Sequence, residues 1–199
     1  MKPKKQLWLL AGGNGSGKST FYRTQLAPQG IPFVNTDILA KELYPHAPEL
    51  HSYDAAILAT QMRLRLLREG RSFCFETVFS HPSKIDSVAQ AKTKGYEVIL
   101  VFIHLDIVSL NQARIAQRVS EGGHNVPDEK VIGRMPRVLK LIKQALPLCN
   151  QVYILDNSRV DNPFQQIAVI HDGRFELKHE LLPEWCRELL ADNLSQPIF

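Results

Sequence analysis

Short apolar runs alternate with amphipathic stretches along most of the chain. The run at 6–11 suits a strand buried on both faces. Residues 18–26 read as a helix stopped by Pro28 and Gly30, and 32–35 as a second short strand. A long helix is predicted over 52–69, with Ile57, Leu58, Met62, Leu66 and Leu67 at helical spacing and Gly70 as its C-terminal stop. The pattern then gives a strand at 72–76, a helix at 83–94 closed by Gly95, and a strand at 96–105, the most apolar in the chain. A helix at 107–119, a glycine-bearing loop at 121–127 and a helix at 128–146 follow, the last expected to kink or divide at Pro136. A fifth strand is predicted at 152–155. Two further strand-like runs, 167–171 and 174–179, flank Asp172-Gly173, a hairpin signal, and Pro183 opens a final short helix to about Asp192.

Strands alternating with helices predict an α/β fold: a mainly parallel five-stranded sheet with helices on both faces, a three-layer sandwich. The C-terminal hairpin and short helix, 164–193, would be an antiparallel edge or an appendage. With 199 residues, no repeat and no low-complexity linker, the chain reads as a single domain over 1–199. The composition, 44% hydrophobic and 22% charged, is that of a globular protein rather than a disordered or fibrous one. The longest apolar run, 98–103, is too short to span a bilayer, and the apolar stretch after the basic start is too short for a signal peptide, so no membrane association is expected. The three cysteines, Cys74, Cys149 and Cys186, are widely spaced and odd in number. They predict buried thiols rather than a disulfide or zinc framework, and a cytoplasmic location. A net charge of +4 favours anionic ligands weakly and does not by itself imply nucleic acid.

The chemistry concentrates at residues 12–19. Gly12, Gly13, Asn14, Gly15, Ser16, Gly17, Lys18 and Ser19 fit G-x-x-x-x-G-K-S/T at every fixed position, between a predicted strand and a predicted helix. Glycines let the loop turn several N–H groups inward as an anion nest. Lys18 brings a charge to the β- and γ-phosphates of ATP, and Ser19 offers a hydroxyl to Mg²⁺. Thr20 completes the cradle. A dinucleotide-binding reading fails, because the G-x-G-x-x-G candidates from Gly13 and Gly15 end on Lys18 and Thr20. A GTPase reading lacks Asn-Lys-x-Asp. A motor ATPase would need a Walker B acid; the best candidate is Asp106, ending the apolar run 98–106, but the next helix carries arginines rather than a second acid.

A small-molecule kinase uses more of the sequence. Asp37 follows the second strand, where groups past strand ends line the ligand crevice, and can take the proton of an attacking hydroxyl. It also stands where a helix from Ile38 needs an N-cap. Glu76 and Thr77 end the third strand and can hold substrate hydroxyls or a Mg²⁺-bound water; a solvated strand-end acid is the plainer alternative. Arg114 and Arg118 share a helix face, and with the Gly122-Gly123-His124 loop, Arg134 and Arg137 they suggest a lid over about 114–137 that brings positive charge onto the transferring phosphoryl group. The alternative is a basic face in solvent.

The segments Ala11 to Thr20, Asn35-Thr36-Asp37, Phe75-Glu76-Thr77 and the arginine-rich lid resemble the zeta-toxin-like P-loop kinases, over roughly residues 6–157. That resemblance implies ATP-dependent phosphorylation of a sugar hydroxyl on UDP-N-acetylglucosamine or a related UDP-sugar. It implies Lys18 on phosphate, Ser19 on Mg²⁺, Asp37 as general base, Glu76 with Thr77 on the sugar, Arg118 and Arg134 as lid arginines, and Arg114 as a substitute for either. It also implies a small helical antitoxin over the nucleotide site as a possible partner. Two other classes stay open: a P-loop ATPase or regulatory module acting through a protein partner, and a kinase of nucleic-acid ends, for which aromatic–basic stacking patches are lacking.

Overall fold

The structure is a computed structural model and describes residues 4–105 and 134–194. One seven-stranded sheet organises it. Its strands are β1 (Gln6–Ala11), β2 (Phe33–Val34), β3 (Phe73–Thr77), β4 (Glu97–His104), β5 (Gln151–Asp156), β6 (Gln165–His171) and β7 (Arg174–Leu177). Their spatial order is β2-β3-β1-β4-β5-β6-β7, the first five parallel and the last two antiparallel. The predicted sandwich is therefore present, and the hairpin is the antiparallel edge of the same sheet rather than an appendage. Its turn has Asp172 at φ 46° and Gly173 at φ 79°, the positive pair that a two-residue hairpin turn of matching twist requires.

Two apolar clusters sandwich the sheet. On one face lie α3 (Ser52–Glu69, after α2, Thr36–Leu43), α4 (Ser83–Thr93), α5 (Met135–Ala145) and α6 (Glu184–Leu194), packed on Leu7, Leu9, Phe73, Phe75, Leu100 and Phe102. The other face is covered by the turns that follow the glycine-rich loop, with Leu26 against Leu10, Cys74, Val101 and Ile103.

Several elements differ from expectation, each for a physical reason. The first helix, α1 (Lys18–Phe21), continues as a π segment, Tyr22–Leu26, and a 3₁₀ turn, Ala27–Gln29. Pro28 sits in the first positions of that last turn, where its missing N–H costs nothing, so the stop is Gly30 at φ 71°. Helix α2 starts two residues earlier than Ile38, and its N-cap is Asn35, not Asp37. In α3 the buried face is Ala55, Ala59, Leu66 and Leu67, whereas Ile57 and Met62 are exposed: the face turned inward carries small residues in its first half, where α3 also packs against α2. Pro136 lies in the first turn of α5, whose Val138, Leu141, Ile142 and Ala145 face the core. The cysteines are free and buried as expected. Among the described residues no helix is long and apolar enough to cross a membrane.

Candidate functional site

The parallel register aligns the ends of β1 and β3, with Ala11 opposite Thr77. The glycine-rich loop therefore leaves the sheet directly beside Glu76. Two glycines are held by contact as well as by conformation. Gly12 has φ 150°, and a Cβ there would stand 2.2 Å from the Ile103 carbonyl oxygen of β4. Gly17, at φ 97°, opens α1, and a Cβ there would meet Asn157 Nδ2 at 2.6 Å. The loop is thus held against β4 and Asn157; the Ser16 N–H donates to the Gly13 carbonyl (3.2 Å), and a glycine-rich turn of this kind suits an anion.

Lys18 is buried, and its Nζ donates to the carbonyl oxygens of Gly12 (3.0 Å) and Gly13 (2.7 Å). It also lies 3.7 Å from Glu76 Oε1. Ser19 Oγ donates to Glu76 Oε2 at 2.6 Å, and Asn35 Nδ2 donates to the same oxygen at 2.9 Å. Asn35 is buried, and its Oδ1 accepts the N–H groups of Asp37 and Ile38. One side chain therefore caps α2 and ties that cap to Glu76. Asp37, in the first turn, is exposed, and its carboxylate has no partner among the described residues. The acid beside Ser19 comes from β3; Asp106, the expected Walker B candidate beyond β4, lies outside the described residues.

The donor set fits nucleotide phosphates and a hard cation. Ser16 Oγ is buried and has no protein partner, in the glycine-rich loop that leads into α1. The Ser19 hydroxyl and the Glu76 carboxylate are adjacent oxygen ligands of the kind Mg²⁺ takes. Among the described residues no three His, Cys, Asp or Glu side chains cluster as a metal cage, so phosphates and water would supply the remaining ligands.

Thr77 Oγ1 accepts the N–H of Phe79, a buried residue held at φ 61°. Its hydroxyl oxygen thus shapes the turn beyond β3. A backbone so placed for a bulky side chain is strained and is kept by its packing. Arg134, at the N-cap of α5, lines a narrow cleft with Gly13, Asn14, Val78, Met135 and Val138, which brings it to the loop. Arg114, Arg118 and His124 lie outside the described residues.

Asn157, just past β5, is a residue that sequence reasoning missed. It is buried; its Nδ2 donates to the Ser16 carbonyl (2.9 Å), its Oδ1 accepts the Phe164 N–H (3.2 Å), and its own N–H donates to the His104 carbonyl (2.9 Å). Phe164, at φ 57°, packs edge-on against Phe21 with ring centroids 5.6 Å apart. The segment after β5 is thereby fastened to the phosphate loop across 141 residues of sequence. No local pattern marks Asn157. Asn35 did carry a signal, an asparagine directly before a helical start.

Residues 7–142 match the family described as AAA domain. An uncharacterized protein of Haemophilus influenzae is 32% identical over 136 residues, 64% of this chain and 96% of that protein. Among solved structures, a chain of the AvrRxo1-ORF1:-ORF2 complex crystallised with ATP superposes with a TM-score of 0.69 at 18% identity, over 100% of this chain and 65% of that one. A chain of the PezAT chromosomal toxin-antitoxin system of Streptococcus pneumoniae gives 0.61 at 19% identity, over 78% and 70%. A putative kinase of Chloroflexus aurantiacus gives 0.58 at 15%, over 81% and 90%. At these identities the likeness is one of fold, a P-loop kinase-like arrangement, and this chain spans 65% of the length of the ATP-bound relative.

Proposed function

The chain belongs to the AAA-domain family, and on that premise we propose that it is an ATP-dependent phosphotransferase, moving the γ-phosphoryl group to a hydroxyl of a small molecule. The observation that carries this reading is the linked set Lys18, Ser19, Glu76 and Asn35, which joins the phosphate loop to the start of α2, where Asp37 stands exposed and unpartnered. A cradle alone would suit nucleotide occupancy; a carboxylate available at the crevice edge suits transfer to an acceptor.

In this reading Gly13 to Thr20 hold the β- and γ-phosphates and Lys18 neutralises them. Ser19 and Glu76 would hold Mg²⁺, which supplies charge neutralisation when bound. The acceptor oxygen attacks the γ-phosphorus in line, its bond to the β-phosphate oxygen breaks, ADP leaves, and the hydroxyl proton passes to the Asp37 carboxylate. Arg134, beside Gly13 and Asn14, faces the transferring group, with Arg114 and Arg118 as further cations. The acceptor we favour is a UDP-sugar such as UDP-N-acetylglucosamine, touched by Glu76 and Thr77, with a helical protein as a covering partner. The motif resemblance supports both, and a fold shared with a chain of the PezAT toxin-antitoxin system supports the protein partner alone.

The test is incubation with γ-labelled ATP and a panel of UDP-sugars, sugar acids and RNA. One labelled small molecule is expected, with transfer reduced roughly 100-fold or more in Asp37→Asn and abolished in Lys18→Ala. Label released only as phosphate, at a rate that Asp37→Ala leaves unchanged, would establish an ATPase instead.

A further inference from the structure

Among the described residues nine large hydrophobic side chains are exposed, and five of them, Leu50, Tyr53, Ile57, Met62 and Leu64, fall at α3 or just before it. Tyr53, Ile57, Thr60 and Leu64 follow one another at intervals of four, three and four residues. That spacing sets them in one line along the helix, the seam spacing of paired helices. The buried residues of the same helix, Ala55, Ala59, Leu66 and Leu67, lie on its other side. Tyr53 is 76% exposed, Ile57 43% and Leu64 39%. Thr60 is exposed too, but its hydroxyl donates to the Ala56 carbonyl at 2.9 Å, so it brings no unpaired donor to the stripe. Single exposed hydrophobic residues are ordinary, whereas a stripe along most of an 18-residue helix is a contact surface.

The charges beside the stripe select its occupant. Asp54, Gln61 and Arg68 stand seven residues apart and form a second line along one flank. All three are exposed. The line is acidic at the start of the helix, neutral in the middle and basic at the end. Against a second copy running the other way, about a two-fold axis beside Gln61, Asp54 meets the second copy's Arg68 at both ends and Gln61 meets Gln61. The same axis sets Ile57 against the second copy's Leu64. A parallel pairing would instead turn Arg68 toward the second copy's Arg63. The other flank brings no like charge to the antiparallel seam: Ala56 stands there, and the Arg63 guanidinium lies over the Phe75 ring, 5.0 Å from its centroid. His51 engages only one of the Asp54 oxygens, at 3.0 Å.

We propose that α3 is a homodimer interface, in which two copies of this chain pair antiparallel through Tyr53, Ile57, Thr60 and Leu64, with Asp54 and the second copy's Arg68 closing each end. The contact is one helix wide, short of the roughly 1,200 Å² of a stable assembly, so the dimer forms with a dissociation constant of about 1–100 µM. It does not depend on the nucleotide and acceptor assignments above.

Sedimentation velocity of the full chain from about 1 to 500 µM tests the pairing. A concentration-dependent shift from one chain to two is expected. Ile57→Glu should keep the chain monomeric throughout. Asp54→Lys and Arg68→Glu should each weaken self-association roughly ten-fold or more, because each change acts twice across the two-fold axis. The two together restore opposite charges and should recover most of the affinity. Both positions are exposed, so the charge exchange decides the question even if Ile57→Glu fails to fold. A chain that stays single at every concentration leaves the stripe to another occupant and overturns the proposal. So does a dimer that Ile57→Glu leaves intact, or a double charge exchange no tighter than either single one.

Discussion

At the scale of single residues, two asparagines hold the candidate site together. Asn35 uses both ends of its carboxamide, capping α2 with the oxygen and binding Glu76 with the nitrogen. Asn157 does the same between Ser16 and Phe164. Replacing Asn157 by Leu leaves the buried Ser16 carbonyl without that partner, a cost of about 1–3 kcal/mol, and frees the half-buried Phe164 N–H at a smaller one. We expect a lower melting temperature and an ATP KM raised roughly ten-fold, since the Ser16 peptide is then free to tilt. Asn157→Asp should be worse, because it turns a carboxylate oxygen toward the Ser16 carbonyl. Gly17→Ala brings a methyl to within 2.6 Å of Asn157 Nδ2 at a positive φ, so nucleotide binding should be lost. Calorimetric titration with ATP on each folded variant checks these outcomes. Glycine spacing made the cradle legible in the sequence. Asn157 was obscure, because the Ser16 carbonyl it binds is distant in the chain and the residue reads locally as ordinary loop chemistry; for Asn35 the cap was legible but the bond to Glu76 was not.

At the scale of elements, periodicity identified type better than face or ending. The strands stand within a few residues of their expected places, since an apolar run buried on two sides has few alternatives. Of the apolar positions that marked α3, Leu66 and Leu67 are buried as the spacing implies, but the N-terminal half of the buried face is made by alanines that a count of large hydrophobic residues passes over. Ala55 and Ala59 are buried, and Ile57 and Met62 are exposed. The Asp172-Gly173 turn was legible because its backbone demands residues that tolerate positive φ. An added Cβ on Gly173 meets nothing within 4 Å, so Gly173→Ala tests backbone conformation alone. It should destabilise the β6–β7 edge by about 1 kcal/mol, measured by denaturant unfolding, with nucleotide binding unchanged.

At the scale of the whole molecule, packing sets a pH response that composition conceals. His104, at the end of β4, stacks on Trp185 of α6 with ring centroids 4.1 Å apart, and its Nδ1 has no hydrogen-bond partner. Burial lowers its pKa to about 4, against an opposing pull from Asp156. The unfolded chain protonates this ring near the ordinary 6.5 while the folded protein still excludes the proton. Stability is therefore full above about pH 6.5 and falls as the pH drops toward 4, by up to about 3 kcal/mol. Urea unfolding between pH 4 and 7 should show that slope, and His104→Phe should flatten it; an unchanged slope would assign the acid sensitivity to other groups. By itself the sequence determined the layered α/β plan, the strand-loop-helix cradle and the chemical types available for phosphate, because spacing and backbone tolerance are local properties. Only the tertiary structure decided that Glu76 lies against Ser19, that Asn157 braces the loop, and that the hairpin extends the main sheet. Those outcomes follow from strand order and register, which bring remote residues into contact and which no window along the chain contains.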